Sequence, residues 1–392
     1  MWYNSPMKKL SLNILYLFIG LSLLSIITKT IDKKINTSTK SQTATTTTDL
    51  AEQPKKDPLQ EQLDQMSTEE KIGSLLILGF RGPVINEHIQ TLITKHHVGG
   101  VNLLKWNIES ADQMKKLSAD LQNLYTKNHN NLPFIVSADQ EGGTVVRFKF
   151  LNEKTAQPDM KTVGQVIEIT KRRAKELKSL GVNMNFAPVA DYITNTKSFL
   201  YNRTFATTTE GTITLAKTAA EVYMAQGVMP VFKHFPGYGN STIDPHKAMT
   251  VFDGTKEMFN QNIAVFKKLL QNEKDIPVMT AHIQVPWVSN LPATKEPYFM
   301  TDMLRNDFSY QGVVITDDLD MASVGADQGK NAIDSINAGA DMIISTPNDT
   351  NHFVVIEALK KAVDEGKISQ KRLDEAAYRV LKLRNKMAEI QG

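Results

Sequence analysis

The sequence predicts an α/β fold, a (β/α)8 TIM-type barrel, and three observations carry that expectation. Eight short apolar runs alternate with eight amphipathic stretches from residue 74 onward, and near-continuous apolar strands separated by helices imply a parallel sheet covered on its outer face. Several helical stretches end at a glycine before the next strand, at Gly181, Gly227, Gly312 and Gly339, where the left-handed backbone of a helix C-terminus favours that residue. Eight such units over roughly 330 residues fit the size range of a closed barrel. The competing doubly wound open sheet would carry a Gly-rich phosphate fingerprint after an early strand, whereas Gly99-Gly100 precedes a strand.

The chain has 392 residues, 41% hydrophobic and 22% charged, enough to bury a full-sized core. Its net charge is only +3, with lysines spread along the chain, so no nucleic-acid partner is expected. The absence of cysteine excludes disulfides, thiol nucleophiles and Cys-based metal sites.

Taken in order, Lys8 and Lys9 precede an apolar run over residues 10–27. That run lies at the long end for a cleavable signal and no Ala-x-Ala site follows it, so residues 1–30 read as an N-terminal membrane anchor or, failing that, a signal peptide. Either way the protein is expected to be exported, anchored at the outer face of the cytoplasmic membrane or secreted. Residues 31–58 are rich in Thr and Ser, include the tract TATTTT, and hold almost no large apolar residue. They read as a flexible linker. Residues 59–392 form the predicted catalytic domain. Strands are expected at 74–80, 98–104, 133–139, 182–191, 228–235, 277–283, 312–317 and 341–346. Helices are expected at 85–97, 111–127, 162–180, 212–226, 256–271, 301–308, 330–338 and 353–365, with a last one at 369–388. No internal repeat is visible, and a monomer is expected.

Catalytic groups of such a barrel stand at the C-terminal ends of its strands. Asp139 follows the third strand, Asp191 the fourth, Lys233 and His234 the fifth, His282 the sixth, Asp317 and Asp318 the seventh. Asp317 ends the run GVVITDD, and a carboxylate held on rigid strand backbone suits a nucleophile that must meet a sugar carbon in line. Asp318 and Asp320 compete for that role, and all three also suit a helix cap. Asp139-Gln140-Glu141 can grip sugar hydroxyls by paired hydrogen bonds, or Asp139 and Glu141 can serve as hard oxygen ligands for a divalent metal, although no third ligand has motif-like spacing. On the polar loop after Lys233, Asp244 and His246 are spaced for contact, and a His paired with a carboxylate can give and take a proton near neutral pH. Pro245 between them restricts that geometry.

These residues resemble glycoside hydrolase family 3 in its β-N-acetylglucosaminidase branch. The likeness runs from about residue 59 to the C-terminus through DQEGG (139–143), NFAPVAD (185–191), NRTF (202–205), KHFPGYG (233–239), the D-x-H of Asp244 and His246, TAHI (280–283) and ITDDLDM (315–321). The resemblance implies a retaining exo-β-N-acetylglucosaminidase acting on peptidoglycan fragments or chitooligosaccharides. Asp317 would form the covalent glycosyl-enzyme, and His246, assisted by Asp244, would act as acid and then base in place of the usual second carboxylate. It also implies that Asp139, Arg203, Lys233 and His234 hold the terminal N-acetylglucosamine, with Arg147 lining or bracing the site, and that no cofactor or metal takes part. Thr144, Tyr238 and Pro245 depart from the family pattern, where Arg, His and a small residue are usual. Other readings are a phosphorolytic enzyme of similar architecture, a β-glucosidase or β-xylosidase, and a sugar-binding surface protein without turnover.

Overall fold

The computed structural model describes residues 57–127, 132–205, 208–346 and 349–392. The expected anchor at 1–30 and the expected linker, up to residue 56, lie outside these residues. Among those described, no helix is long and apolar enough to cross a membrane.

Helix Pro58–Gln65 starts on the side chain of Asp57, which accepts from the Leu59 N–H. Helix Thr68–Ser74 follows with a reciprocal cap between Ser67 and Glu70. From there strands and covering helices alternate. The strands are β1 Leu76–Leu78, β2 Gly100–Asn102, β3 Ile135–Ala138, β4 Met184–Asn185, β5 Met229–Pro230, β6 Phe232–Phe235, β7 Thr250–Val251, β8 Val278–Thr280, β9 Ile283–Gln284, β10 Val314–Asp318 and β11 Met342–Ser345.

Nine of these strands make one parallel sheet in the order β5-β4-β3-β2-β1-β11-β10-β8-β6. Its two ends, β5 and β6, flank Val231 in a single run of chain, and a parallel bridge joins Val189 to Lys233 at that point. The sheet is thus a nearly closed barrel of eight strand positions, with β7 and β9 pairing separately beside it.

The ladders are shorter than the apolar runs that predict them. Residues 182–191 are buried throughout, yet only Met184 and Asn185 pair as a strand, because Pro188 has no N–H to give a ladder. The sixth covering helix is a π-helix at Tyr298–Asp307, where the sequence predicts helix from 301. Pro297, at φ −55° and ψ −32°, already has helical backbone, so the winding starts there. Two apolar clusters fill the domain, one around β1–β3 and β11, the other around Phe232, Phe266 and Phe299.

Candidate active site

The loops leaving the C-terminal ends of the strands enclose a cavity of about 540 Å³. Its wall includes all eight residues singled out from the sequence: Asp139, Arg147, Arg203, Lys233, His234, Asp244, His246 and Asp317.

One part of the wall is a buried ion-pair network. The Lys233 Nζ, on β6, lies 2.9 Å from Asp139 Oδ1 and 2.6 Å from Glu141 Oε1. Arg203 donates to both Glu141 oxygens, at 2.8 and 2.7 Å, and Arg147 donates to Asp139 Oδ2 at 3.1 Å. Burial pushes the Asp139 and Glu141 carboxyls up, but Lys233 with Arg147, and Arg203 with Lys233, more than offset it. Asp139 is held well below the usual carboxylate range and Glu141 at about 2. The metal alternative for Asp139 and Glu141 gives way to this pairing, because their oxygens already accept from Lys and Arg.

Local backbone builds the network. Gln140 Oε1 accepts from the Arg147 and Phe148 N–H groups, which folds the DQEGG turn back on itself. At Gly142, with φ +91°, a Cβ would stand 2.1 Å from the Thr155 carbonyl oxygen, so the turn requires glycine. His234 is fixed by Asp191, whose Oδ2 accepts from its backbone N–H at 2.8 Å and pairs with Nδ1 at 2.9 Å. Asp191 Oδ1 also accepts from the Tyr238 N–H. The Tyr238 hydroxyl accepts from the His282 N–H at 3.0 Å, so this tyrosine ties the fifth loop to the sixth strand.

Beyond Gly239 the chain runs out to the mouth. His246 Nδ1 lies 2.8 Å from Asp244 Oδ1, which also accepts the His246 backbone N–H at 3.0 Å. Pro245 therefore does not separate the pair: the carboxylate reaches over it to residue i+2, the Asx pattern in which proline is tolerated at the middle position. Burial raises the Asp244 carboxyl, but the hydrogen bonds from His246 outweigh it and the net shift is downward. An ionised Asp244 makes Nδ1 the donor and leaves Nε2 as the atom that can exchange a proton. His246 is 63% exposed at its side chain.

Asp317 stands one residue before the end of β10 and accepts from the Asp318 N–H at 2.8 Å. The structure separates it from its two acidic neighbours. Asp320 accepts from Ser345, Thr346 and Asn351, tying the start of the eighth loop. Asp318 contacts the Thr346 hydroxyl and accepts from the Asp320 N–H, while burial pushes its carboxyl up to about 7. None of the three caps the next helix, which starts on Asp327. His282, also on the rim in sequence, is fully buried between Thr294 and the Asp318 carbonyl and braces the backbone there.

Glu141, Asp191 and Asp318 have structural work that sequence reasoning does not assign them. The DQEGG run and the strand-end aspartates mark their positions, and only the fold supplies their partners. Across the cavity wall, the cations Arg147, Arg203 and Lys233 share the two carboxylates Asp139 and Glu141, whereas Asp244 and Asp317 have no Lys or Arg ion-pair partner among the described residues. The arrangement offers a strand-borne carboxylate, an oriented imidazole on an exposed arm, and a rigid polar floor.

The sequence pattern of the glycosyl hydrolase family 3 N terminal domain matches residues 67–383. The chain is similar to the β-hexosaminidase A of Pseudoalteromonas piscicida, 30% identical over 77% of this chain and 55% of that protein. It is 26% identical to a β-hexosaminidase of Haemophilus influenzae, over 73% of this chain and 83% of the relative. In structure it resembles a glycoside hydrolase family 3 β-N-acetylglucosaminidase from Paenibacillus sp. FPU-7, with a TM-score of 0.79 at 31% identity, covering 83% of this chain and 64% of that one. The chain thus spans little more than half of the Pseudoalteromonas relative and under two thirds of the Paenibacillus one.

Proposed function

The chain belongs to glycosyl hydrolase family 3, and from that premise we propose that it is a retaining exo-β-N-acetylglucosaminidase. It releases terminal β-linked N-acetylglucosamine from oligosaccharides, either peptidoglycan fragments or chitooligosaccharides. The observation that carries this reading is that Asp317 and the Asp244–His246 pair line one cavity.

In the first step an Asp317 carboxylate oxygen attacks the anomeric carbon as the glycosidic C–O bond breaks, and His246 Nε2 gives its proton to the departing oxygen. Asp244 holds the ring by Nδ1 and stabilises the imidazolium. In the second step His246 Nε2 takes a proton from water, whose oxygen bonds to the anomeric carbon and displaces Asp317. Two inversions leave the anomeric configuration retained. Asp139, Arg147, Arg203, Lys233 and His234 hold the sugar, and the ion pairs among Asp139, Glu141, Arg147, Arg203 and Lys233, with Asp191 on His234, keep them in place before it arrives, so little ordering remains when the sugar binds.

The basic-then-apolar segment at residues 8–27 supports an exported enzyme, anchored or secreted. Release of a chromophore from an aryl β-N-acetylglucosaminide by wild type, Asp317→Ala and His246→Ala tests the assignment. Loss in Asp317→Ala is expected, and full activity there would remove Asp317 from the mechanism.

A further inference from the structure

We propose that the Tyr238 hydroxyl is the hydrogen-bond donor to Asp317, a positioning residue that stabilises the Asp317 carboxylate as it leaves the sugar in the second step. The inference rests on the hydrolase reading above and adds to its mechanism a residue that stands where the family pattern usually has His.

Two unsatisfied groups on one wall carry it. Tyr238 and Asp317 both line the cavity. The Tyr238 hydroxyl oxygen accepts from the His282 N–H at 3.0 Å, but its own proton has no acceptor among the described residues, although the residue is only 1% exposed. A buried donor left without an acceptor is costly. Of the two Asp317 oxygens, Oδ1 accepts from the Asp318 N–H at 2.8 Å, and Oδ2 accepts from no described residue. The fold brings these groups to the same place. Strands β8 and β10 pair with Thr280 opposite Thr316, so continuing the register sets Ala281 beside Asp317 and His282 beside Asp318. His282 closes the link: its N–H holds the Tyr238 oxygen, while its Nε2 lies 3.0 Å from the Asp318 carbonyl, which can only accept. The phenol ring is held as well. Phe199 and His234 pack edge-on against it, with ring centroids 5.2 and 5.3 Å away, and Asp191 accepts from the Tyr238 N–H. Burial and the negative charge of Asp317 push the hydroxyl well above its ordinary value, so it remains a donor at neutral pH.

The two steps use this donor unequally. In the first, Asp317 loses its negative charge to the new bond with the anomeric carbon, so a donor on the carboxylate gives no rate advantage. In the second, the oxygen of water bonds to that carbon, its proton passes to His246, and the electron pair of the breaking C–O bond returns to Asp317. There the developing carboxylate takes the Tyr238 hydrogen bond, with no proton transferred from the phenol.

Tyr238→Phe keeps the ring and removes only the hydroxyl. An aryl β-N-acetylglucosaminide with a good leaving group has an easy first step, which leaves the second to limit turnover. On it kcat should fall about tenfold to a hundredfold, the loss of one hydrogen bond to a charged group. KM should fall with it, kcat/KM should stay within about threefold, and a burst of close to one chromophore per active site should precede the steady state. A raised KM at unchanged kcat would overturn the proposal, since the hydroxyl would then serve the bound sugar. Equal losses in kcat and kcat/KM without a burst would also rule it out, as the mark of a general structural defect. A second measurement needs no change at residue 238. A crystal structure of His246→Ala stalled as its glycosyl-enzyme should place the Tyr238 oxygen within about 3.2 Å of an Asp317 oxygen, and a gap beyond about 3.5 Å would contradict the assignment. A wild type that leaves the aryl substrate intact would instead sink the hydrolase reading itself, and this inference with it.

Discussion

Glu141→Gln is the change that tests the polar floor of the cavity most sharply. The side chain is 1% exposed, and its two oxygens receive Lys233 Nζ at 2.6 Å and the Arg203 fork at 2.7 and 2.8 Å. An amide keeps the shape but turns one acceptor into a donor facing a donor, and leaves Lys233 and Arg203 with only Asp139 to offset them. Breaking a buried pair by removing one partner costs about 3–5 kcal/mol. Linkage gives a similar size: a carboxyl held at about 2 in the folded protein, against an ordinary 4.5, contributes roughly 3 kcal/mol at neutral pH. For a domain of about 330 residues that is a fall in Tm of roughly 4–7 °C, from the usual unfolding entropy per residue. The sign also fixes a pH window. The folded value is depressed, so the stabilisation is fully present above the unfolded value near 4.5 and disappears as pH falls through about 2. Thermal unfolding followed by circular dichroism at neutral pH and in steps down to about pH 2 reads both effects. A Tm within about 1 °C of wild type at neutral pH, or a gap that widens on acidification, would refute the reasoning.

Two further outcomes follow from the same geometry. Asp191→Ala leaves three donors without their acceptor, the His234 N–H and ring N–H and the Tyr238 N–H, at about 1–3 kcal/mol each; the unfolding free energy from denaturant titration should fall by about 3 kcal/mol or more and KM should rise, and an unchanged denaturation midpoint would count against the role given to Asp191. Asp318→Asn addresses a carboxyl whose folded value is raised to about 7 by burial. Its protonated form is the one the fold favours, so wild type loses stability as pH rises from about 4 through 7, and the uncharged variant should gain on wild type between pH 5 and pH 8, a trend that equal slopes in the two proteins would contradict.

The alternation of apolar runs and glycine-ended helices was enough to read the barrel, and the strand-end positions of Asp139, Lys233 and Asp317 were enough to read its rim. Ladder lengths were not legible, because burial and pairing part company where Pro188 interrupts hydrogen bonding. The ion-pair network was also hidden, since Lys233 meets Asp139 across 94 residues of chain and Arg203 meets Glu141 across 62; periodicity carries no sign of such partners. For the same reason Glu141 read as a sugar-gripping group when its oxygens in fact neutralise Arg203 and Lys233. Pro245 restricts the backbone between Asp244 and His246, but the i to i+2 reach of an aspartate side chain passes over the ring, a contact that backbone restriction alone does not reveal.

The central claim is that Asp317 becomes covalently attached to the sugar and that His246 is needed to release it. An aryl N-acetylglucosaminide with a good leaving group requires little acid assistance in the first step, so His246→Ala should form the intermediate and stall there. Mass spectrometry of the quenched, digested variant is the direct measurement. The account predicts one N-acetylglucosaminyl group on the peptide that contains Asp317, absent from the Asp317→Ala, His246→Ala double variant. Burst release of the chromophore with no adduct, or with the adduct on another residue, would contradict it.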